Sequence, residues 1–297
     1  MTPEPAIPEE ARAAILSSQR GEITEHHIYH ALAEKAVEAG NRKVLEETAR
    51  VELAHYRFFR SLTGVEVAPD RIRVAFYLLV YHIFGITFTI KFMERGEVKA
   101  QATYRDLLPA VPGLEAVLRD EERHEKELIA LVDEQRLRYT GSIVLGLNDA
   151  LVELTGTLAG LTLALQNTQI IAMAGLITGI AAALSMSSAE YLSTKSEGGG
   201  NEGRSPLRAA MYTGIAYIIT VLFLVVPYLV FPGYYLALAV TIVNAIIVIL
   251  VFTFYISVTR DLDFRGRFLE MAGLSLGVAA LSFLMGILVR VLLGVNV

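Results

Sequence analysis

The chain has 297 residues, of which 54% are hydrophobic; its formal net charge is −5, and it contains no cysteine. The acidic balance argues against a nucleic-acid-binding role, because neutralising phosphates requires a basic face. The absence of cysteine excludes disulfides, a thiolate nucleophile and thiolate-bound metals, so any metal must be held by carboxylate, imidazole or thioether ligands.

The composition changes sharply along the chain. Charged residues with helical periodicity fill the first half, and long apolar runs begin at Gly141. The length allows two domains, and we predict them over residues 1–138 and 139–297. The first twenty residues carry three prolines and several acids before any apolar run. That order is wrong for a secretory signal peptide, so we expect the N-terminus to stay in the cytosol.

The first domain is predicted to contain four helices, with breaks at 39–41, 64–69 and 109–113. The second and fourth helices each carry a Glu-x-x-His motif, whose spacing puts both side chains on one helix face. The first and third helices each carry a glutamate that follows a glycine and precedes a tyrosine by seven residues. The pattern indicates a duplicated helical hairpin. Its predicted metal ligands are Glu22, Glu52, His55, Glu97, Glu121 and His124.

This ligand set is the one with which four-helix carboxylate proteins hold two metal ions in the bundle core. Carboxylates can bridge two ions, and imidazole adds a neutral ligand, so iron fits best and manganese nearly as well. Glu25 and Glu94 lie one turn from the lone glutamates and could be alternative ligands or part of a path into the site. The neighbouring His26, His27 and His30 cannot all share one helix face, so at least two should be on the surface.

The stretch from Val74 to Ile90 is apolar enough to resemble a membrane span. If it crossed a bilayer, the ligands of the second helix would be separated from those of the third and fourth. We therefore predict it as the most buried helix of the bundle, whose remaining apolar face meets a partner subunit or the membrane surface.

The motifs GE-x6-Y and EETA-x-x-E-x-x-H, with the second GE-x6-Y and E-x-x-H, resemble the rubrerythrin and ferritin-like superfamily over roughly residues 21–131. The resemblance implies a ferritin-like di-iron four-helix bundle. Rubrerythrins proper also carry a cysteine-bound iron as electron donor, which this chain lacks. Ferroxidase or peroxidase activity of the domain therefore stays an open expectation.

Five apolar segments long enough to span a membrane follow in the second domain. Basic residues cluster in the loops after the second and fourth segments and are absent from the turns QNTQ and FPGY. By the positive-inside rule, the first domain should be cytosolic and the C-terminus outside. Pairs of glycines four residues apart should allow close helix contacts. The predicted spans are Ile143–Leu165, Ile170–Leu192, Ala209–Phe231, Tyr235–Val258 and Met271–Leu293.

Polar residues within the first two spans indicate an ion path. Asp149 and Glu153 are one turn apart, and each costs about 2.5–3.5 kcal/mol at mid-bilayer. The alternative is a solvated position near the interface. Met186 and Glu190 are likewise one turn apart, and a thioether beside carboxylates suits a transition metal. Carboxylates that lose a proton on binding a cation would couple transport to a proton gradient.

The stretches GLNDALVELTGTLAGL, ALSMSSAEYLS and PLRAAMYTGIAYIITVLFLVVPYLVF resemble the vacuolar iron transporter family over about residues 141–231. The resemblance implies a homodimeric metal/proton antiporter that removes ferrous iron or manganese from the cytosol. It also matches Asp149, Met186 and Glu190 to residues of the family's pathway. The fusion of both parts resembles the membrane-bound ferritin-like transporters of prokaryotes.

Together these features predict an all-α protein of the cell membrane, with a ferritin-like bundle followed by five transmembrane helices. The expected function is export of Fe²⁺, or of Mn²⁺, in exchange for protons, after capture, oxidation or sensing of iron by the bundle. The alternative is a membrane-anchored di-iron oxidase or peroxidase without metal transport. Intramembrane acids weigh against that alternative, because an anchor needs none.

Overall fold

The computed structural model describes residues 9–36, 38–108, 111–130, 139–197 and 204–293. Within these ranges the chain forms ten helices and no strand, which confirms the all-α prediction there. Contacts between Cα atoms divide the chain into two compact units, residues 1–133 and 134–297. The sequence predicted the domain boundary between residues 138 and 139. Residue 138 lies outside the described ranges.

The described residues of the first unit form five helices. Helices one, two, five and four, in this order, contact one another in a closed ring, and helix three packs against helices one and four. The arrangement brings both Glu-x-x-His helices, the second and the fifth, side by side. The helices are α1 (Glu9–Lys35), α2 (Ala39–Thr63), α3 (Arg71–Phe84), α4 (Ile86–Leu107) and α5 (Leu114–Ala130).

Local capping explains where α2 ends and α3 begins. Gly64 has φ 67°, a left-handed conformation that glycine adopts without strain, and its N–H donates to the carbonyl of Arg60. Asp70 caps α3 by accepting from the backbone N–H groups of Ile72 and Arg73. The Asp70 N–H in turn donates to the Thr24 hydroxyl on α1, which holds the α2–α3 connection against the unit.

The prediction of one continuous, most buried helix over Val74–Ile90 is wrong. Gly85, with φ 83° and ψ 177°, divides the stretch into α3 and α4. The second part is the more buried one, and its Phe88 and Ile90 are fully inaccessible. The physical reason is that α3 packs on one side only. It buries Tyr77 and Val80 but exposes a stripe at helical spacing: Ile72, Phe76, Leu79 and Ile83.

Two apolar layers fill the interior of the first unit. One includes Ile28 and Leu32 of α1 and Leu45 and Ala49 of α2. The other lies further toward the N-terminus of α1 and the C-terminus of α2, with Ile15 and Phe59. Glu22 and Glu52 fall between the two layers in the sequence of their helices, which places a polar level between two apolar ones.

In the second unit, the described residues form five helices that are long and apolar enough to span a membrane, as predicted. The first of them contacts each of the other four and so forms the centre of the unit. These helices are α6 (Thr140–Leu165), α7 (Thr168–Ser196), α8 (Pro206–Val230), α9 (Tyr234–Thr259) and α10 (Phe264–Leu293).

Glycines allow some of these helices to approach closely. A Cβ at Gly156 or Gly160 of α6 would lie 2.9–3.0 Å from atoms of α10, and one at Gly179 of α7 would lie 2.7 Å from Val221 of α8. These contacts confirm the packing role expected of such pairs. Gly273 and Gly277 of α10 differ, because a Cβ there would meet no atom within 4 Å. Their face is not used for packing inside the unit.

Candidate functional site

Four predicted ligands converge inside the first unit. Glu22 projects from α1, Glu52 and His55 from α2, and Glu121 from α5, and all four side chains are buried. Each offers a ligand atom, and these atoms all lie within 4.8 Å of one another. This buried cluster is suited to holding a metal ion.

The ring of His55 lies at the centre of the carboxylates. Its Nδ1 is 3.0 Å from Oε1 of Glu121, 3.4 Å from Oε2 of Glu22 and 3.6 Å from Oε2 of Glu52. His124 stacks beside it with ring centroids 6.2 Å apart. The Nδ1 of His124 is 3.8 Å from Oε1 of Glu52, so the second Glu-x-x-His histidine borders the same cluster.

Several buried polar atoms of the cluster have no hydrogen-bond partner within the described part of the chain. They are Oε2 of Glu22 and of Glu52, and both ring nitrogens of His55 and His124. Burying polar atoms without partners costs about 1–3 kcal/mol each. A metal ion uses the same lone pairs, so the residues present fit a bound cation.

Burial and mutual repulsion raise the proton affinity of the metal-free cluster. Burial, together with the charge of Glu52, raises the pKa of Glu22 from an ordinary value of 4.5 to about 8. Burial and the charge of Glu22 also raise the pKa of Glu121. For His55, burial lowers the pKa, but the carboxylates of Glu121, Glu22 and Glu52 outweigh it and raise the pKa above its ordinary value. A cation that binds here must therefore displace protons.

A tyrosine that the sequence did not assign to the site also contacts it. The hydroxyl of Tyr104, a buried residue of α4, donates a hydrogen bond to Oε1 of Glu22 on α1. Burial, together with the charges of Glu22 and Glu121, raises the pKa of Tyr104 well above its ordinary value, so the hydroxyl stays a donor. The repeated Gly-Glu-x6-Tyr pattern was the available signal, although it did not show that the tyrosine of one hairpin serves the glutamate of the other.

The remaining predicted residues of the first unit have different surroundings. Glu25 forms an ion pair with Nη2 of Arg73 at 3.0 Å and is not part of the four-residue cluster. Glu94 is half-buried on α4 and is also outside that cluster. The side chain of Glu97 lies outside the described part of the structure. His27 and His30 are exposed, in agreement with the prediction for the histidine group.

In the second unit, the predicted pathway residues lie on α6 and α7. Asp149, Met186 and Glu190 are half-buried, whereas Glu153, near the middle of α6, is exposed. Within the described ranges these carboxylates do not converge into a second cluster like that of the first unit.

Two hydrogen bonds hold the carboxylates of Glu190 and Glu153. The Ser142 hydroxyl of α6 donates to Oε1 of Glu190 at 2.6 Å. The Tyr217 hydroxyl of α8 donates to Oε2 of Glu153 at 2.8 Å, and the tyrosine is fully buried. Tyr217 was missed by sequence reasoning, since one aromatic residue in an apolar span gives no sign of its partner.

Comparison with known proteins identifies part of this unit. Residues 140–203 match the model of the VIT family. The matched VIT segment is about a fifth of the chain and contains α6 and α7, hence all four predicted pathway residues. No curated protein shows significant similarity to the chain. The VIT match and the five apolar helices fit a multi-pass membrane protein that transports metal ions.

Proposed function

We propose that the chain exports ferrous iron from the cytosol as a metal/proton antiporter, with a cytosolic ferritin-like di-iron domain that captures iron and oxidises or senses it. The observation that carries the proposal is the presence, in one chain, of a buried Glu₃His cluster and a segment that matches the VIT family. The cluster alone would indicate only metal binding, and the VIT match alone would indicate only transport. Their presence in one chain links the two.

The di-iron assignment is supported by the ring of α1, α2, α5 and α4 and by the polar level between two apolar layers. Met93 and Tyr104 of α4 belong to the two layers, and Glu97 lies between them in the sequence. With His124 bordering the cluster, the six predicted ligands suffice for two ions, each associated with one Glu-x-x-His motif. The ligand chemistry favours iron, with manganese nearly as suitable.

The transport assignment is supported by the surroundings of Glu153. A carboxylate that faced acyl chains near the middle of a span would cost about 2.5–3.5 kcal/mol. Its exposure in the single chain therefore favours cover by a second copy, with a water-filled path between two subunits. Homodimer formation would place Asp149, Glu153, Met186 and Glu190 along that path. Protons released from the carboxylates on cation binding would be the counter-ions.

The charge of the loops supports an orientation that is compatible with export. Lys195, Arg204 and Arg208 flank the α7–α8 connection, and three arginines follow α9. The positive-inside rule then puts the first unit in the cytosol and the C-terminus outside a cell membrane. Iron captured by the first unit would be on the side from which export begins.

The direct test is Fe²⁺ flux in proteoliposomes at a set pH gradient. We expect Asp149→Asn to lower flux at least about tenfold, because it removes a charge that stabilises the cation in the path. Glu270→Gln, which changes an exposed carboxylate of α10, is the matched control and should transport normally. Unchanged flux in Asp149→Asn would contradict the pathway assignment.

Two further measurements distinguish this proposal from a manganese exporter and from a membrane-anchored di-iron enzyme. Competition of Mn²⁺ with Fe²⁺ measures metal preference. Turnover of O₂ or H₂O₂ by the wild-type protein, with no metal flux under any gradient, would replace the proposal with a membrane-anchored di-iron oxidase or peroxidase.

A further inference from the structure

The two Glu-x-x-His motifs differ in the residue that directly precedes the glutamate. In α5 that residue is Asp120, and in α2 it is Val51. Since α2 packs against α5, each of these positions lies on a helix adjacent to the histidine of the other motif. The duplicated hairpins are therefore not chemically equivalent at this position.

Asp120 approaches the side of the His55 ring that faces away from the carboxylate cluster. Its Oδ2 is 3.6 Å from Nε2 of His55, whereas Nδ1 of the same ring points to Glu121 at 3.0 Å. The other oxygen of Asp120 is held by Arg123 at 3.0 Å. The carboxylate is thus anchored at one oxygen and directed at the histidine with the other.

A histidine that binds a metal usually donates its other ring N–H to a carboxylate or carbonyl, which fixes the tautomer and the ring orientation. At 3.6 Å the pair is just beyond hydrogen-bond distance, and a shift of a few tenths of an ångström on metal binding would close it. Valine at the matching position of α2 has no acceptor atom. The ring nitrogens of both histidines are buried without a hydrogen bond in the described part of the chain. Among the described residues, a carboxylate oxygen lies within 4 Å of Nε2 at His55 but not at His124.

We propose that the two metal positions of the bundle are inequivalent and that Asp120 is the cause. It acts as a positioning residue that holds the N–H of His55 Nε2 and so presents Nδ1 to the metal. The position bound by His55 fills first, and the position bound by His124 binds more weakly. The inference rests on the proposed two-metal function of the first unit and adds an order of filling.

The test is a titration of the metal-free full-length protein in detergent with Co²⁺, whose visible absorption reports coordination. We expect two unequal binding steps in the wild type. Asp120→Asn and Asp120→Ala should each weaken the tighter step about 10–100-fold and leave the weaker step unchanged. Val51→Asp should strengthen the weaker step. Proton NMR of the Co²⁺ protein should show one slowly exchanging imidazole N–H, which Asp120→Asn should make fast.

Arg123→Gln is the matched control, because it breaks the ion pair with Asp120 without removing the carboxylate that faces His55. It should change the tighter step less than threefold, and circular dichroism should show unchanged helix content in every variant. Equal effects of Asp120→Asn and Arg123→Gln, or an unchanged tighter step in Asp120→Asn, would overturn the inference. Failure of the wild type to bind Co²⁺ at all would instead refute the metal site on which it rests.

Discussion

The two units handle their acidic residues in opposite ways. In the first unit, Glu22, Glu52 and Glu121 are buried around His55. One oxygen each of Glu22 and Glu52 and both ring nitrogens of His55 lack hydrogen bonds in the described part of the chain. In the second unit, Glu153 and Glu190 accept hydrogen bonds from neighbouring helices and are exposed or half-buried. The first arrangement suits an ion that stays bound, since several buried ligand atoms have no other hydrogen-bond partner among the described residues. The second suits an ion that passes, because Glu153 and Glu190 have hydrogen-bond partners of their own in the protein.

The comparison predicts that retained metal depends only on the first unit. We expect Glu52→Ala and Glu121→Ala to reduce the metal content of the purified protein to background, because each removes a buried ligand of the cluster. Asp149→Asn should keep the wild-type metal content. Elemental analysis of the purified variants measures all three.

Glu122→Ala serves as the control for α5, since this neighbouring carboxylate is exposed. It should retain wild-type metal. If Asp149→Asn lost as much metal as Glu121→Ala, the distinction between a retaining and a passing site would fail.

A smaller effect is expected from the hydrogen bond to Glu153. Tyr217→Phe removes the donor that holds this carboxylate, and we expect about tenfold slower Fe²⁺ flux, because a hydrogen bond to a charged group contributes roughly 1.5–3 kcal/mol. Tyr228→Phe is the matched control. That buried tyrosine of the same helix bonds a threonine, Thr162, and its loss should change flux less than about twofold. Equal slowing in both variants would show that the contact with Glu153 has no special role.

The smallest effect is a pH dependence of thermal stability. The folded, metal-free unit holds a proton on Glu22 up to about pH 8, whereas the unfolded chain releases it near pH 4.5. Between these values the folded state binds more protons, so the free energy of unfolding falls as pH rises. The raised pKa values of Glu121 and His55 act in the same direction.

Bound metal should reverse this trend, because it needs the deprotonated carboxylates. Calorimetry of the full chain from pH 5 to pH 8 should show the metal-sensitive melting temperature falling without metal and rising with it. Each 1 kcal/mol corresponds to roughly 4 °C in a unit of 133 residues, between the values typical of smaller and larger domains. Glu22→Gln should flatten the metal-free slope. A metal-free melting temperature that rises with pH would contradict the assigned protonation.

The sequence predicted the features that depend on spacing and length. Two Glu-x-x-His motifs on helical faces and five apolar runs are local properties, and the structure has the ligands of α1, α2 and α5 together and all five spans. The prediction of one continuous helix was wrong at Gly85, because the apolar run gives no sign of the break between the half-exposed α3 and the more buried start of α4. The contacts of Tyr104, Asp120 and Tyr217 were not predictable, because each joins two helices whose relative rotation is fixed only by packing.

One consequence of the cluster concerns the chain that surrounds it. Its ligands come from both helical hairpins, and Glu22 and Glu121 lie near opposite ends of the first unit's sequence. An ion bound between them therefore acts as a removable cross-link that closes a very long loop, much as a disulfide would in a chain that has cysteine. Loading with metal should make this unit more resistant to proteolysis, so that the metal supply sets its lifetime.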